Sequence, residues 1–346
     1  MIVVMASDAR PSDTDNVVRR VEAVGGQAFV SRGISREIVG LVGDVDLFAT
    51  LNIDGMRGVA RVTRVSAGYK LVSREQHADR TVVHVRGVPI GPQTLTLIAG
   101  PCAVETPEQT LAAAAMARSA GATLLRGGAF KPRTSPYAFQ GLGEDGLKIL
   151  SDVRAETGLP VVTEVVDANE VEMVAEYADM LQVGTRNMQN FALLQAVGSI
   201  GLPVMLKRGM TATIEEWLMA AEYIAQRGNL SIVLCERGIR TFDTETRNTL
   251  DISAVPVAQR LSHLPVIVDP SHSGGRRDLV LPLARAGLAA GADGAIIDVH
   301  PDPDSALCDG PQALVEEDMP ELARMIQDLS VYMGRQAPAP PLRKAG

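Results

Sequence analysis

From residue 95 to residue 300 the chain repeats one unit, a short and almost unbroken apolar run followed by a longer stretch with helical periodicity. The runs are LTLIAG (95–100), TLLRGG (123–128), PVVTEV (160–165), DMLQVG (179–184), PVMLKRG (203–209), SIVLCERG (231–238), PVIVDPS (265–271) and GAIIDVH (294–300). A strand that is apolar at successive positions is covered on both faces, the condition of a parallel sheet packed under helices. The intervening segments include 106–121, 213–228 and 278–291. Several open on Asp, Ser or Thr and close on Gly, as helix ends prefer. Eight such units over about 250 residues are the count and size of a (β/α)8 barrel. An open doubly wound sheet is the rival, but no G-x-G-x-x-G follows the first run.

The first 70 residues have a different rhythm. Strands are expected at 1–7, 27–34, 37–44 and 57–65, with helices at 11–24 and around 45–51. That order is the split βαβ, ferredoxin-like arrangement. Residues 71–90 read as a linker with a short strand at 81–87, the barrel as 91–334, and the Pro-rich 335–346 as a flexible tail.

Composition excludes several roles. The net charge of −8 and aromatic content of 3% oppose a nucleic-acid binder, which needs a basic face and stacking platforms. No apolar run approaches the ~20 residues of a membrane span, and the N-terminus lacks a secretory layout. Three cysteines (Cys102, Cys235, Cys308) make no disulfide framework, so a cytoplasmic, small-molecule protein is expected.

A barrel carries its active site at the C-terminal ends of its strands. Those ends here are Cys102, Arg126, Glu164, Arg186, Lys207 with Arg208, Glu236 with Arg237, His272, and Asp298 with His300. Strands two, four, five and six all deliver cations. Arg126, Lys131, Arg133, Arg186, Lys207 and Arg237 converging on one mouth would repel one another unless an anion sits among them, and phosphate or carboxylate suits the Arg fork. Within KPRTS (131–135), Lys131, Arg133, Thr134 and Ser135 make a phosphate cradle. A second constellation is Cys102, His272, Asp298 and Asp309. Thiolate, imidazole and carboxylates form a mixed site for a borderline divalent ion, assembled only if the eighth strand closes against the first. Cys235 and Cys308 read as structural cysteines, His77, His84 and His263 as non-catalytic, and His300 as a partner behind the site.

AGPCAVE (99–105), LLRGGAFKPRTSPYAFQGLG (124–143), GTRNMQN (184–190), LKRG (206–209), CERGIRTF (235–242), DPSHSGGRRDL (269–279) and HPDPDSALCDGPQ (300–312) resemble the 3-deoxy-D-arabino-heptulosonate-7-phosphate (DAHP) synthases. More narrowly, the chain is similar to the microbial subgroup with an N-terminal ferredoxin-like domain. The resemblance implies a (β/α)8 enzyme that condenses phosphoenolpyruvate with erythrose 4-phosphate and releases phosphate, the first step of the shikimate route. It implies that Arg126, Lys131 and Lys207 hold the phosphoenolpyruvate carboxylate, and that Arg186 and Arg237, with Thr185, hold its phosphate. Arg133, Thr134 and Ser135 would take the sugar phosphate. Cys102, His272, Asp298 and Asp309 would bind a divalent metal (Mn, Fe, Co or Zn). Lys131 would donate a proton, and Glu164 would orient substrate or water. It further implies a homotetramer with feedback inhibition by tyrosine or phenylalanine through the N-terminal domain.

One departure stands out. The family usually has Glu where this chain has Asp298, one methylene shorter, so weakened or altered metal preference is expected. Two other readings stay open. An octulosonate synthase would use arabinose 5-phosphate on the same barrel, although Lys131-Pro132 favours the heptulosonate enzyme. An inert regulator that binds aromatic amino acids or a partner enzyme is motivated by Asp298 alone.

Overall fold

The structure, a computed structural model, describes residues 1–32, 37–63, 68–75 and 77–337. The chain forms two compact units, Met1–Gly68 and Tyr69–Gly346.

The first unit contains β1 (Ile2–Met5), α1 (Pro11–Glu22), β2 (Gln27–Arg32), β3 (Glu37–Val42), α2 (Val45–Ala49) and β4 (Val59–Thr63). The strands form one antiparallel sheet in the order β2-β3-β1-β4, the ferredoxin-like topology. Val17 and Val21 of α1 bury their stripe against Val3, Met5, Val39 and Phe48. The expected second helix is a single turn, followed by a 3-10 turn at Ile53–Gly55. The outer ends of the expected strands 27–34 and 57–65 fall on 33–34 and 64–65, outside the described residues.

The second unit begins differently from the expected linker. β5 (Val83–Val85) and β6 (Val88–Ile90) pair as a tight hairpin. Its two-residue turn puts Arg86 and Gly87 at φ 47° and 86°, the doubly left-handed turn that matches strand twist. Val83, Val85 and Ile90 pack into one cluster with Ile98, Leu124, Val162, Met180, Met205, Val233, Ile267 and Ile296, one or more residues from every barrel strand. The segment is thus the floor of the barrel rather than a connector. Sequence reading missed its second strand because Pro89 interrupts it.

The barrel follows in chain order: β7 (Thr96–Gly100), α3 (Pro107–Ser119), β8 (Leu124–Arg126), α4 (Glu144–Thr157), β9 (Val161–Val165), α5 (Val171–Tyr177), β10 (Met180–Val183) and α6 (Phe191–Ser199). Then come β11 (Val204–Lys207), α7 (Ile214–Ala225), β12 (Ile232–Glu236), α8 (Ala254–Leu261), β13 (Val266–Val268), α9 (Pro270–Gly274), α10 (Arg277–Ala289), β14 (Gly294–Asp298) and α11 (Met319–Tyr332). The eight strands β7–β14 close into a parallel barrel. β14 pairs with β7 over five residues, from Gly294 opposite Thr96 to Asp298 opposite Gly100. This closure sets Asp298 beside Pro101-Cys102. Helix ends are capped as the sequence suggests: Thr106 Oγ1 accepts from the Gln109 amide, and Thr213 with Glu216 forms a capping box. No helix among the described residues is long and apolar enough to cross a membrane. Residues 335–337, expected in the flexible tail, are tied down: Arg335 donates to the carbonyls of Gly291 and Ala292, and Gln336 exchanges backbone bonds with Gln93 and Leu95. The rest of that tail, 338–346, lies outside the described residues.

Candidate active site

A cavity of about 290 Å³ opens at the C-terminal ends of the strands, at the small end of ligand pockets. Arg126, Lys131, Arg133, Thr134, Ser135, Glu164, Thr185, Arg186, Lys207, Arg237 and His272 all line it. Cys102 and Asp298 lie beneath, 4% and 0% exposed. The strand ends therefore converge as the barrel reading requires.

The cations divide into two sets. Arg126 Nη1 lies 2.5 Å from Asp298 Oδ1, and Lys207 Nζ lies 2.5 Å from Asp269 Oδ2, with all four side chains buried. These two are matched, contrary to the expectation that the cluster lacks internal partners. Arg208 and Glu236, both at strand ends, also leave the site: they pair with each other at 2.9 Å, and Arg208 reaches Asp251 as well. Arg133, Arg186 and Arg237 pair with no carboxylate among the described residues. Arg186 instead donates to Thr134 Oγ1 at 3.4 Å, joining two loops of the rim. Arg237 is 6% exposed, yet its Nη1 has no hydrogen-bond partner within the protein; Arg126 Nε and Thr185 Oγ1 are also buried without one. Burial pulls the Arg237 guanidinium below its ordinary pKa. Buried unpaired donors are costly, and an anion bound in this cavity would satisfy the Arg237 and Arg126 donors.

Lys131 Nζ donates to the Cys102 carbonyl at 3.0 Å and contacts Cys102 Sγ at 3.1 Å. Burial opposes its charge, but the thiols of Cys102 and Cys308 raise its pKa above the ordinary value and keep it an ammonium. Glu164 receives a 3.4 Å bond from Gln182 and lies flat against Gly184. A Cβ at residue 184 would sit 1.9 Å from Glu164 Oε1, so a side chain there would push this carboxylate from its place.

The metal-competent groups form two clusters that share Cys102: one with His272 and Asp298, the other with Cys308 and Asp309. Cys102 Sγ lies 3.7 Å from His272 Nε2 and 3.2 Å from Asp309 Oδ2. His272 Nε2 is 3.6 Å from Asp298 Oδ2 and 3.7 Å from Asp309 Oδ2. A thiol, an imidazole and carboxylates at such spacing fit a borderline divalent ion. Burial disfavours charge on His272, yet Asp269 and Asp298 outweigh it and raise its pKa to about 9. His272 beside Asp309, with Arg247 next, overrides burial and holds that carboxyl well below the usual range.

Four residues escaped the sequence reading. Asp269 opens α9 as its cap and braces both Lys207 and His272. Gln312 donates to Asp298 Oδ2 at 2.6 Å. Arg247, from the long loop after β12, bonds Asp309 Oδ1 at 3.0 Å. Cys308, read as structural, lines the cavity with its Sγ 3.7 Å from that of Cys102. The hydrogen bond between the thiols pushes Cys102 up, with burial adding to it, and pulls Cys308 down. An Asp just after Cys308 was the available signal, but loop residues carry no periodicity to place them. His300, expected as a partner behind the site, accepts from the Asp302 amide through Nδ1 and lies 3.6 Å from Glu105 through Nε2, neither of them a predicted site residue.

Comparison with known proteins agrees with this geometry. Residues 72–335 match the model of the DAHP synthetase I family, and residues 1–67 match the DAHP synthase ferredoxin-like domain. A phospho-2-dehydro-3-deoxyheptonate aldolase of Thermotoga maritima is 49% identical over 96% of this chain and 99% of its own. A crystal structure of that type from the same organism superposes with a TM-score of 0.78 at 48% identity, covering 97% of this chain and 98% of that one. A 2-dehydro-3-deoxyphosphooctonate aldolase of Syntrophobacter fumaroxidans is 36% identical over 71% of this chain and 90% of its own. Matched over both units, the chain belongs to the DAHP synthetase I family, with a ferredoxin-like domain ahead of its barrel.

Proposed function

We propose that this chain condenses phosphoenolpyruvate with D-erythrose 4-phosphate and water, giving 3-deoxy-D-arabino-heptulosonate 7-phosphate and phosphate, the opening step of the shikimate route. The observation that carries this reading is the set of cations at the mouth with no carboxylate paired to them among the described residues, Arg133, Arg186, Arg237 and the ammonium of Lys131, with Arg237 Nη1 buried and without a hydrogen-bond partner. They suit two phosphorylated substrates held together. Similarity over the ferredoxin-like unit as well as the barrel favours the heptulosonate reaction over the octulosonate one.

Arg126 and Lys207, braced by Asp298 and Asp269, hold the carboxylate of phosphoenolpyruvate deep in the barrel. Arg186, Arg237 and Thr185 hold its phosphate, and Arg133, Thr134 and Ser135 hold the phosphate of the sugar. Fixing the two anions head to tail removes a large entropic barrier. C3 of phosphoenolpyruvate attacks the aldehyde carbon, and Lys131 gives its proton to the oxygen that becomes an alkoxide. Glu164 orients the water that adds at C2, and the hemiketal phosphate collapses with release of phosphate. Cys102, His272, Asp309 and Asp298 are the residues that would hold a divalent ion, which supplies Lewis-acid polarisation of the aldehyde when bound. The N-terminal unit serves as a sensor of tyrosine or phenylalanine in a cytoplasmic homotetramer; removing residues 1–70 should abolish aromatic inhibition and spare turnover.

The decisive test is phosphate release from phosphoenolpyruvate with erythrose 4-phosphate or arabinose 5-phosphate, after chelation and then with Mn²⁺. Erythrose-dependent release restored by metal is the expected result. Arabinose-dependent release assigns the octulosonate reaction, and release with neither sugar overturns the enzyme reading.

A further inference from the structure

We propose that Cys308 is a ligand of the divalent ion and takes the place of Asp298, so that the site offers two thiolates, one imidazole and one carboxylate. The inference rests on the metal reading above and goes beyond it in the identity of the donors.

Asp298 is spoken for. Its Oδ1 is held by Arg126 at 2.5 Å and its Oδ2 by Gln312 at 2.6 Å, and it is fully buried. A carboxylate fixed at both oxygens by buried donors, on the shorter of the two acidic side chains, must break or share one of those bonds to coordinate. Cys308 has a sulfur whose neighbours are Cys102, Asp309 and Arg133, two of them proposed ligands themselves. Cys102 Sγ and Asp309 Oδ2 form an edge of 3.2 Å; His272 Nε2 closes one triangle on it at 3.7 Å from each. Cys308 Sγ closes a second on the same edge, 3.7 Å from Cys102 and 3.5 Å from Asp309. Two thiolates on one tetrahedral ion stand about 3.8 Å apart, from bonds of about 2.3 Å. Arg133 Nη1 lies 2.8 Å from Cys308 Sγ, a guanidinium in position to balance the charge of a second bound thiolate.

A donor set with two sulfurs is softer than one with a single sulfur and two carboxylates, which favours zinc over manganese. Because Arg133 also belongs to the cradle for the sugar phosphate, the proposed ligand touches the substrate-binding loop directly.

The test is a titration of metal-free full-length protein with Co²⁺, read by thiolate-to-metal charge-transfer absorption. Loss of one of two thiolates in Cys308→Ser should lower that absorption to about half, as should Cys102→Ser. Equal absorption in wild type and Cys308→Ser overturns the proposal while the metal reading stands; no Co²⁺ binding in wild type overturns both. X-ray absorption on the Zn²⁺-loaded wild type gives an answer that needs no variant. Two sulfur neighbours at about 2.3 Å support the proposal, and one sulfur refutes it.

Discussion

Lys207 and Asp269 form a buried ion pair, Nζ to Oδ2 at 2.5 Å, and the same carboxylate accepts from the backbone amide of His272 at 2.9 Å and touches its Nδ1. One side chain thus positions both the Lys207 ammonium that lines the cavity and the His272 ring proposed as a metal ligand. Asp269→Asn keeps the size and loses the charge. Metal affinity should fall about 10–100-fold, the usual cost of losing the group that orients a ligand. Calorimetric titration of the purified variant measures it, and unchanged affinity would show that His272 needs no brace.

Lys131 is held as an ammonium at the cavity, and if it is the proposed proton donor its removal should act on turnover more than on binding. Lys131→Met should lower kcat by about 10²–10⁴, the range for a lost general acid. The KM for phosphoenolpyruvate should change far less, because Arg126, Lys207, Arg186 and Arg237 remain. Steady-state kinetics on both substrates separates the two effects; a rise in KM with intact kcat would assign Lys131 to binding alone.

At Gly184 the added methyl of alanine would meet the Glu164 carboxylate at 1.9 Å. Gly184→Ala should therefore cost about 1–3 kcal/mol, typical of overpacking, and displace Glu164. Denaturant melts should show the loss, and activity should drop beyond what stability accounts for. A variant as stable and active as wild type would mean that Glu164 moves freely.

His263 lies beneath the barrel, fully buried, bonded to Thr81 through Nδ1 at 2.7 Å and to the Leu71 carbonyl through Nε2 at 2.8 Å. Burial pulls its pKa below 6.5, with His77 and Arg74 adding to the shift. The folded state then resists a proton that the unfolded chain accepts. The stability from a neutral His263 is complete above about pH 6.5 and is lost as pH falls toward the lowered folded value. Thermal melts should show Tm declining below pH 6.5, less steeply in His263→Gln. Parallel slopes in the two proteins would assign the acid sensitivity elsewhere.

The barrel was legible because its strands are buried on both faces, so each reads as an apolar run whose last residue points to the mouth. That rule alone located Arg126, Glu164 and Lys207. Arg186, Arg237 and Asp298 followed from the same register, and β14 beside β7 joined Asp298 to Cys102. The residues that escaped notice sit where no period operates. Arg247 lies in a long loop, and Cys308 precedes Asp309, whose φ of 53° turns the chain back toward the cavity. Asp269 was visible only as part of a motif, since a cap and a brace look alike in one dimension. Charge matching also hid: the partners of Arg126 and Lys207 stand 172 and 62 positions away in the chain.

The hairpin under the barrel decides where the chain can be cut. A fragment beginning at residue 91, where the strand repeat starts, would be a cup without a base. Ile98, Leu124, Val162, Met180, Met205, Val233, Ile267 and Ile296 would then face water instead of Val83, Val85 and Ile90. A fragment beginning at Tyr69, the first residue of the second unit, keeps its base and should remain soluble alone. The usable seam therefore lies 27 residues before the first barrel strand, ahead of a stretch that sequence patterning reads as a linker.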